Sequence, residues 1–162
     1  MTVIWDGKVL LETIILNEEK SAQIYTYISD NLESKEEKEL FISLSADEER
    51  HAKIYEALQR QFSMKSEVEI SQEDVDYIEL VISNNIFSQD EDYREEVRRF
   101  LEKTDIFTLA EKMERDAIIY ILELQEMYPN LAREELDTIL REERKHLRLV
   151  FTKKIDNLRK QS

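Results

Sequence analysis

The sequence contains no cysteine, one glycine (Gly7) and one proline (Pro129) in 162 residues. Without cysteine the chain cannot form disulfides, thiolate nucleophiles, cysteine-ligated zinc fingers or iron–sulfur centres. Glycine and proline are the residues that most often interrupt regular structure, so their near absence predicts long helices. No apolar run is as long as a membrane span, and the N-terminus lacks a basic-then-apolar secretion signal. We therefore expect a cytoplasmic protein.

The balance of charge argues against two classes of partner. The formal net charge is −14, which would repel the phosphates of nucleic acids and the headgroups of anionic membranes. We therefore expect neither nucleic acid nor membrane as a partner. Charged residues make up 37% of the chain and hydrophobic residues 41%, a balance that suits amphipathic helices with solvated outer faces. The length predicts one domain over residues 1–162, with enough chain for a substantial core.

Four long segments have apolar residues at the spacings of three and four that are typical of amphipathic helices. They predict helices at about 7–31, 35–63, 105–128 and 131–160. Ser34 and Glu37 have the spacing of a capping box, and Asp105 is a favourable N-cap for the third helix. Pro129 ends that helix.

Residues 64–103 differ from the rest of the chain, and we interpret them as a long crossover. The segment 71–82 predicts one short helix and the segment 97–101 another, with an acidic loop at 89–92 between them. The connections at 32–34 and 128–130 are short, so each half of the chain should form an antiparallel helical hairpin. The predicted fold is all-α, a four-helix bundle of two hairpins joined by the crossover.

The two histidines of the sequence each follow a glutamate by three residues, on the predicted second and fourth helices. Positions i and i+3 share a helix face, so each pair can present a carboxylate and an imidazole to one metal ion. A further glutamate falls on the inner face of each of the other two helices. The resulting candidate ligands are Glu18, Glu48, His51, Glu114, Glu143 and His146. This is the ligand set of a di-iron or di-manganese carboxylate bundle.

Electrostatics supports a pair of cations at these residues. Four carboxylates in a bundle core are costly to desolvate unless positive charge lies among them, and two divalent ions neutralise four glutamates. Carboxylate and imidazole together suit iron, manganese and zinc. We expect Glu48 and Glu143 to bridge the ions, with the other four residues as terminal ligands. Ions roughly 3.5–4 Å apart can bind oxygen or peroxide between them.

Several assignments remain open from the residues alone. Glu19 is adjacent to Glu18 and competes with it, and Glu111 is either a rival of Glu114 or an additional ligand one turn earlier. Three tyrosines should lie near the site, where core packing is the more common role and a hydrogen bond to a ligand carboxylate is the alternative. They are Tyr25, Tyr55 and Tyr120.

With these residues in place, the chain resembles the rubrerythrin-related branch of the ferritin-like superfamily. The matching segments are Glu18–Tyr27, Ala46–Ile54, Glu114–Tyr120 and Arg141–Leu147. The family's spacing from glutamate to tyrosine also selects Glu18 over Glu19. The resemblance implies a ferritin-like bundle, two iron ions (or manganese or zinc), and a homodimer.

The chain departs from rubrerythrins in two respects. Rubrerythrins carry a rubredoxin-like domain with four cysteines that passes electrons to the di-iron site, and this sequence has no cysteine. They also have an additional glutamate one turn after the third-helix ligand, where this sequence has Ala117. That glutamate changes ligation with redox state in the family, and only Glu111 is available here to replace it.

The function implied by the resemblance is a non-haem di-iron oxidoreductase that acts in oxidative stress. It would reduce hydrogen peroxide or dioxygen with electrons from an external donor protein, since the sequence offers no second redox centre. Two alternatives remain. In one, the bundle binds or oxidises iron without turning over a substrate; in the other, a metal such as zinc only staples the helices.

Overall fold

The computed structural model describes residues 1–62, 66–85 and 92–162. In chain order the elements are β1 (Thr2–Asp6), α1 (Lys8–Asp30), α2 (Lys35–Phe62), β2 (Glu67–Ser71), α3 (Gln72–Ser83), α4 (Tyr93–Leu101), α5 (Ile106–Met127) and α6 (Arg133–Gln161). The acidic loop predicted at 89–92 lies outside the described residues except for Asp92, which caps α4 by accepting from the backbone N–H of Arg94.

The predicted bundle of two helical hairpins is confirmed. Helix α1 packs along α2, α5 packs along α6, and the contact of α1 with α5 joins the two hairpins. The crossover contains the two predicted short helices, α3 and α4. Asp105 caps α5 as predicted, because its carboxylate accepts from the backbone N–H groups of Phe107 and Thr108 at 2.9 Å.

Two features differ from the prediction: the first residue of the fourth helix, and two short strands that were not predicted. Helix α6 begins at Arg133 rather than 131, because Ala132 has a left-handed backbone with φ of 40°. Strands β1 and β2 form an antiparallel pair in which Val3 lies opposite Ile70 and Trp5 opposite Val68. Both segments alternate outward and inward residues, a short period-two pattern that could have indicated strands.

A close contact fixes the small sheet to the end of the bundle. The backbone N–H of Gly7 donates to the carbonyl oxygen of Ser66 at 3.0 Å, and the hydroxyl of Tyr128 donates to the same oxygen at 2.5 Å. A Cβ atom at Gly7 would overlap that hydroxyl, so the absence of a side chain is required here.

The apolar core is divided into two clusters along the bundle axis. One lies towards the sheet and includes Leu11, Tyr55 and Leu124; the other lies towards the opposite end and includes Ile24 and Phe41. The middle of each long helix contributes polar residues between these clusters, so the bundle has a buried polar layer with apolar packing above and below it. In the described part of the chain, no helix combines the length and apolar character needed to span a membrane.

Candidate metal centre

The structure brings all six predicted ligand residues together in the buried polar layer. Each long helix contributes at its midpoint: α1 and α5 supply one glutamate each, and α2 and α6 supply a glutamate and a histidine each. Each of the six residues is at most 3% exposed. The helical phase explains this placement, since each of the six lies on the face that its helix buries in the core.

The six residues form two overlapping groups, each with donor atoms within 4.8 Å of one another. Glu18 and His51 belong only to the first group, which we call position A, and Glu114 and His146 only to the second, position B. Glu48 and Glu143 belong to both. Two adjacent cations would therefore share two carboxylates, and each would have one glutamate and one histidine of its own.

The imidazoles direct their Nδ1 atoms into the cluster. His51 Nδ1 lies 2.8 Å from Glu143 Oε1 and 3.6 Å from Glu18 Oε2. His146 Nδ1 lies 3.3 Å from Glu48 Oε1 and 3.4 Å from Glu114 Oε2. The two rings are stacked with their centroids 6.0 Å apart, so they lie side by side rather than at opposite ends of the molecule.

The buried donor atoms of this cluster fit a pair of cations. Although they approach one another closely, seven of them have no hydrogen-bond partner among the described residues: one oxygen each of Glu18, Glu48 and Glu114, both oxygens of Glu143, and Nδ1 of both histidines. Buried polar atoms are normally hydrogen-bonded, so unpartnered atoms that converge on one interior point indicate a ligand. Carboxylate oxygens and imidazole nitrogens are donors for divalent transition metals.

A second set of hydrogen bonds fixes the imidazoles from outside. Nε2 of His51 donates to Glu142 Oε2 at 2.7 Å, and Nε2 of His146 donates to Asp47 Oδ2 at 3.0 Å. Arg50 donates to both of these carboxylates, at 2.9 Å to Glu142 and 3.0 Å to Asp47. Because Nε2 carries the proton in these bonds, Nδ1 is left to face a metal.

The sequence interpretation missed these outer residues. Asp47 and Glu142 each directly precede the glutamate of a Glu-x-x-His pair, and this shared position is the signal that could have identified them. Each one, however, binds the histidine of the opposite hairpin. This pairing of each carboxylate with a histidine of the other hairpin depends on how α2 lies against α6, which the sequence of either helix does not specify.

One of the three tyrosines contacts a candidate ligand directly. The hydroxyl of Tyr25 donates to Glu114 Oε1 at 2.5 Å. Tyr120 instead donates to the carbonyl oxygen of Val81 at 3.5 Å, at the edge of hydrogen-bonding distance. Tyr55 is buried near Glu18, whose charge contributes to raising the pKa of the Tyr55 phenol, although burial is the larger cause.

Burial and mutual repulsion set the protonation of the carboxyl groups. Burial raises the pKa of Glu18 and of Glu114 well above the ordinary value, and the charge of Glu48 raises both further. For Glu48 burial also raises the pKa, but the adjoining Glu18 and His146 side chains outweigh it and lower the pKa. Both shifts favour the protonated form of Glu18 and of Glu114 when no cation is bound.

The pKa values of the two histidines shift in the opposite direction to those of ordinary buried imidazoles. Burial alone would lower the pKa of His51 and of His146, but the adjoining carboxylates outweigh it and raise both above 6.5. The largest upward contributions come from Glu143 at His51 and from Glu114 at His146. Without a metal these shifts favour the positively charged form of both imidazoles, in the place where cations would otherwise supply positive charge.

Comparison with known proteins identifies the family. The model of the Rubrerythrin family matches residues 10–152, which include all four long helices in part or whole. The chain belongs to the rubrerythrin family. A protein from Thermotoga maritima, provisionally assigned as a ferritin-like diiron-carboxylate protein, has the same fold, with a TM-score of 0.69. The two chains are 21% identical over 94% of this chain and 97% of the other. No curated protein matches the sequence significantly.

Within this rubrerythrin-family site, neither rival glutamate joins the cluster. The carboxylate of Glu111 binds Lys154 at 2.6 Å and Arg115 at 3.0 Å, so it is held on the outer side of α5. Glu19 lies exposed on the outer face of α1. Partial burial of its carboxyl group and the adjacent Glu56 raise its pKa. Rubrerythrins have an additional glutamate at the position of Ala117, and Glu111 does not replace that glutamate in this cluster.

Proposed function

We propose that this rubrerythrin-family protein binds two iron ions at positions A and B and reduces hydrogen peroxide or dioxygen. Glu48 and Glu143, which belong to both groups of candidate ligands, would hold both ions, and each ion would also be held by one further glutamate and one histidine. The observation that carries the proposal is the convergence of seven buried, unpartnered oxygen and nitrogen atoms on one interior point. Two divalent ions would neutralise the four carboxylates there.

When bound, an iron pair supplies the electrons that reduce a small oxidant. The protein's own residues orient the ligands and exclude bulk water. Glu142 and Asp47 hold the imidazoles so that Nδ1 points inward, Arg50 holds both of those carboxylates, and Tyr25 holds Glu114. The apolar clusters on either side of the polar layer keep it dry.

We further propose that the chain forms a homodimer. We also propose that the electrons come from a separate donor protein. The sequence has no cysteine for an iron–sulfur or rubredoxin-type centre. The two groups of possible metal ligands found in the described residues both belong to the same cluster, so they offer no second redox site. Reduction of the iron pair between turnovers then needs an external source.

Anaerobic loading with ferrous iron, followed by one equivalent of peroxide, tests the redox function. We expect two iron ions per chain by metal analysis, stoichiometric oxidation, and an oxo-bridged diferric band in the visible spectrum. The variant Glu48→Ala should lose the band, while Glu49→Ala, which removes the adjacent exposed carboxylate, should retain it. A ferrous protein that peroxide does not oxidise would exclude the proposed activity.

One observation favours a second candidate function, iron binding or oxidation without catalytic turnover. The chain has Ala117 where rubrerythrins have their additional glutamate, and Glu111 is bound to Lys154 instead of replacing it. Repeated peroxide additions in the presence of excess reductant distinguish the two: multiple turnovers support the reductase, and a single oxidation supports iron binding. The solution mass adds a test, because mineral storage needs a large closed shell.

A further inference from the structure

The two metal positions differ in how their terminal glutamates are held. At position B the hydroxyl of Tyr25 donates to Glu114 Oε1 at 2.5 Å, which leaves Oε2 directed towards His146 Nδ1 at 3.4 Å. At position A the equivalent oxygen of Glu18 lies 3.6 Å from His51 Nδ1. The Oε2 atoms of both glutamates lack a hydrogen-bond partner among the described residues, so the difference is the tyrosine hydroxyl on Glu114 Oε1, which has no counterpart at Glu18 there.

This difference follows from an interruption of the chain's internal symmetry. The two hairpins correspond, with Glu18 on α1 matching Glu114 on α5. Tyr25 follows Glu18 by two helical turns and reaches across to Glu114. The residue two turns after Glu114 is Ile121, which is fully buried and has no hydroxyl to offer Glu18. The sequence therefore supplies a tyrosine hydroxyl to one terminal carboxylate and none to the other.

The outer hydrogen bonds do not remove the difference. Each histidine has a carboxylate acceptor on Nε2, and Arg50 donates to both acceptors, so the two imidazoles are held in similar ways. The bridging carboxylates of Glu48 and Glu143 belong to both positions. The contrast between the positions is therefore concentrated in Glu18 and Glu114.

We infer that the two positions bind metal unequally, and that position B takes the first ion tightly while position A takes the second ion weakly and exchanges it faster. This inference rests on the proposed two-metal function. An anchored carboxylate is already oriented for coordination, whereas Glu18 must lose side-chain freedom when it binds. Loss of an outer hydrogen bond to a metal ligand typically lowers metal affinity by about 10–100-fold, which is the size of the difference expected here.

Titration of the metal-free protein with Mn²⁺ tests the inference without any assay of activity. Calorimetry should resolve two steps that differ by about 10–100-fold. At one equivalent, electron paramagnetic resonance should show the six-line spectrum of a single Mn²⁺, and the spectrum of a coupled pair should develop only with the second equivalent. Two steps of equal affinity would overturn the inference and leave the two-metal function intact.

Two pairs of variants assign the steps. His146→Ala should abolish the tight step, and His51→Ala should retain it while losing the weak one. Tyr25→Phe, which removes only the hydroxyl, should weaken the tight step by about 10–100-fold and bring the two affinities together. Tyr120→Phe is the matched control, because it removes a buried hydroxyl that donates to Val81 and not to a ligand.

Each remaining outcome has a defined meaning. Loss of the tight step in His51→Ala but not in His146→Ala would reverse the order and refute the assignment. Unchanged affinities in Tyr25→Phe would show that the hydroxyl does not set the difference. Thermal unfolding of each metal-free variant verifies that it is folded before titration. Fewer than two Mn²⁺ ions bound to the wild-type chain would overturn the proposed function, and this inference with it.

Discussion

Loading the metal-free protein with two divalent cations should release protons, up to about four per chain. Two of these protons are held by Glu18 and Glu114, whose pKa values are raised by burial and by neighbouring carboxylates. The other two are held by His51 and His146, whose pKa values are raised because the adjoining carboxylates outweigh burial. All four must leave before these groups can coordinate metal.

The magnitude follows from charge balance in the buried layer. With protons on two carboxyl groups and on both imidazoles, the two remaining carboxylates balance the two positive rings. With two divalent ions bound, four carboxylates balance four positive charges. The cluster is neutral in both states, as burial demands. Exchange of four protons for two ions implies that the overall binding constant falls by about 10,000-fold for each unit of pH decrease, while all four groups remain protonated in the free protein.

Calorimetric titration with Mn²⁺ in buffers of different ionisation enthalpy measures the number of protons released. In Glu114→Gln the release should fall by about one, because the variant has no proton to lose at that position. Glu111→Gln is the matched control on the same helix. Its carboxylate binds Lys154 and Arg115 outside the cluster, so the release should stay unchanged.

A release close to zero would refute this reasoning. It would mean that the metal-free cluster tolerates four buried negative charges without protons, or that the cations bind elsewhere. Equal effects of the Glu114 and Glu111 substitutions would also count against it, since only one of these residues lies in the cluster.

Three further outcomes follow. The metal-free protein should lose stability as the pH rises above about 4.5, because the raised pKa values of Glu18 and Glu114 let the folded state keep protons that the unfolded chain releases. Urea unfolding at several pH values should show a slope of about 1.4 kcal/mol per pH unit for each excess proton, and a flat profile contradicts this. Glu142→Ala should weaken the metal step at position A about 10–100-fold by calorimetry, and unchanged affinity would deny Glu142 a positioning role. Gly7→Ala should lower the free energy of unfolding by about 1–3 kcal/mol, because the new methyl group would displace the Tyr128 side chain. Denaturant titration measures this change, and a variant as stable as the wild type would show that the methyl group and Tyr128 do not overlap.

Local pattern was sufficient for the helices and for the candidate ligands. Apolar spacing places the four long helices to within two residues of their observed ends, apart from residue 63, which lies outside the described residues. The Glu-x-x-His spacing identifies two ligand pairs because i and i+3 share a helix face whatever the surroundings. The parallel halves of the chain add Glu18 and Glu114 at the same level.

The strands and the outer hydrogen bonds could not be predicted from local sequence pattern. Strand β1 is five residues long and pairs with a segment beyond the first hairpin, so its stability comes from a distant partner. The exclusion of Glu111 depends on Lys154 of another helix, and the choice of Tyr25 as a donor depends on the approach of α1 to α5.

The sequence by itself determined that this protein is a helical bundle with six candidate metal ligands facing inward, because helix periodicity is a local property of the chain. Tertiary structure alone decided which carboxylate faces which imidazole, that Arg50 links the two outer acids, and that Tyr25 donates to Glu114. These relations join different helices, and their distances are set by how the two hairpins pack, which no single segment encodes.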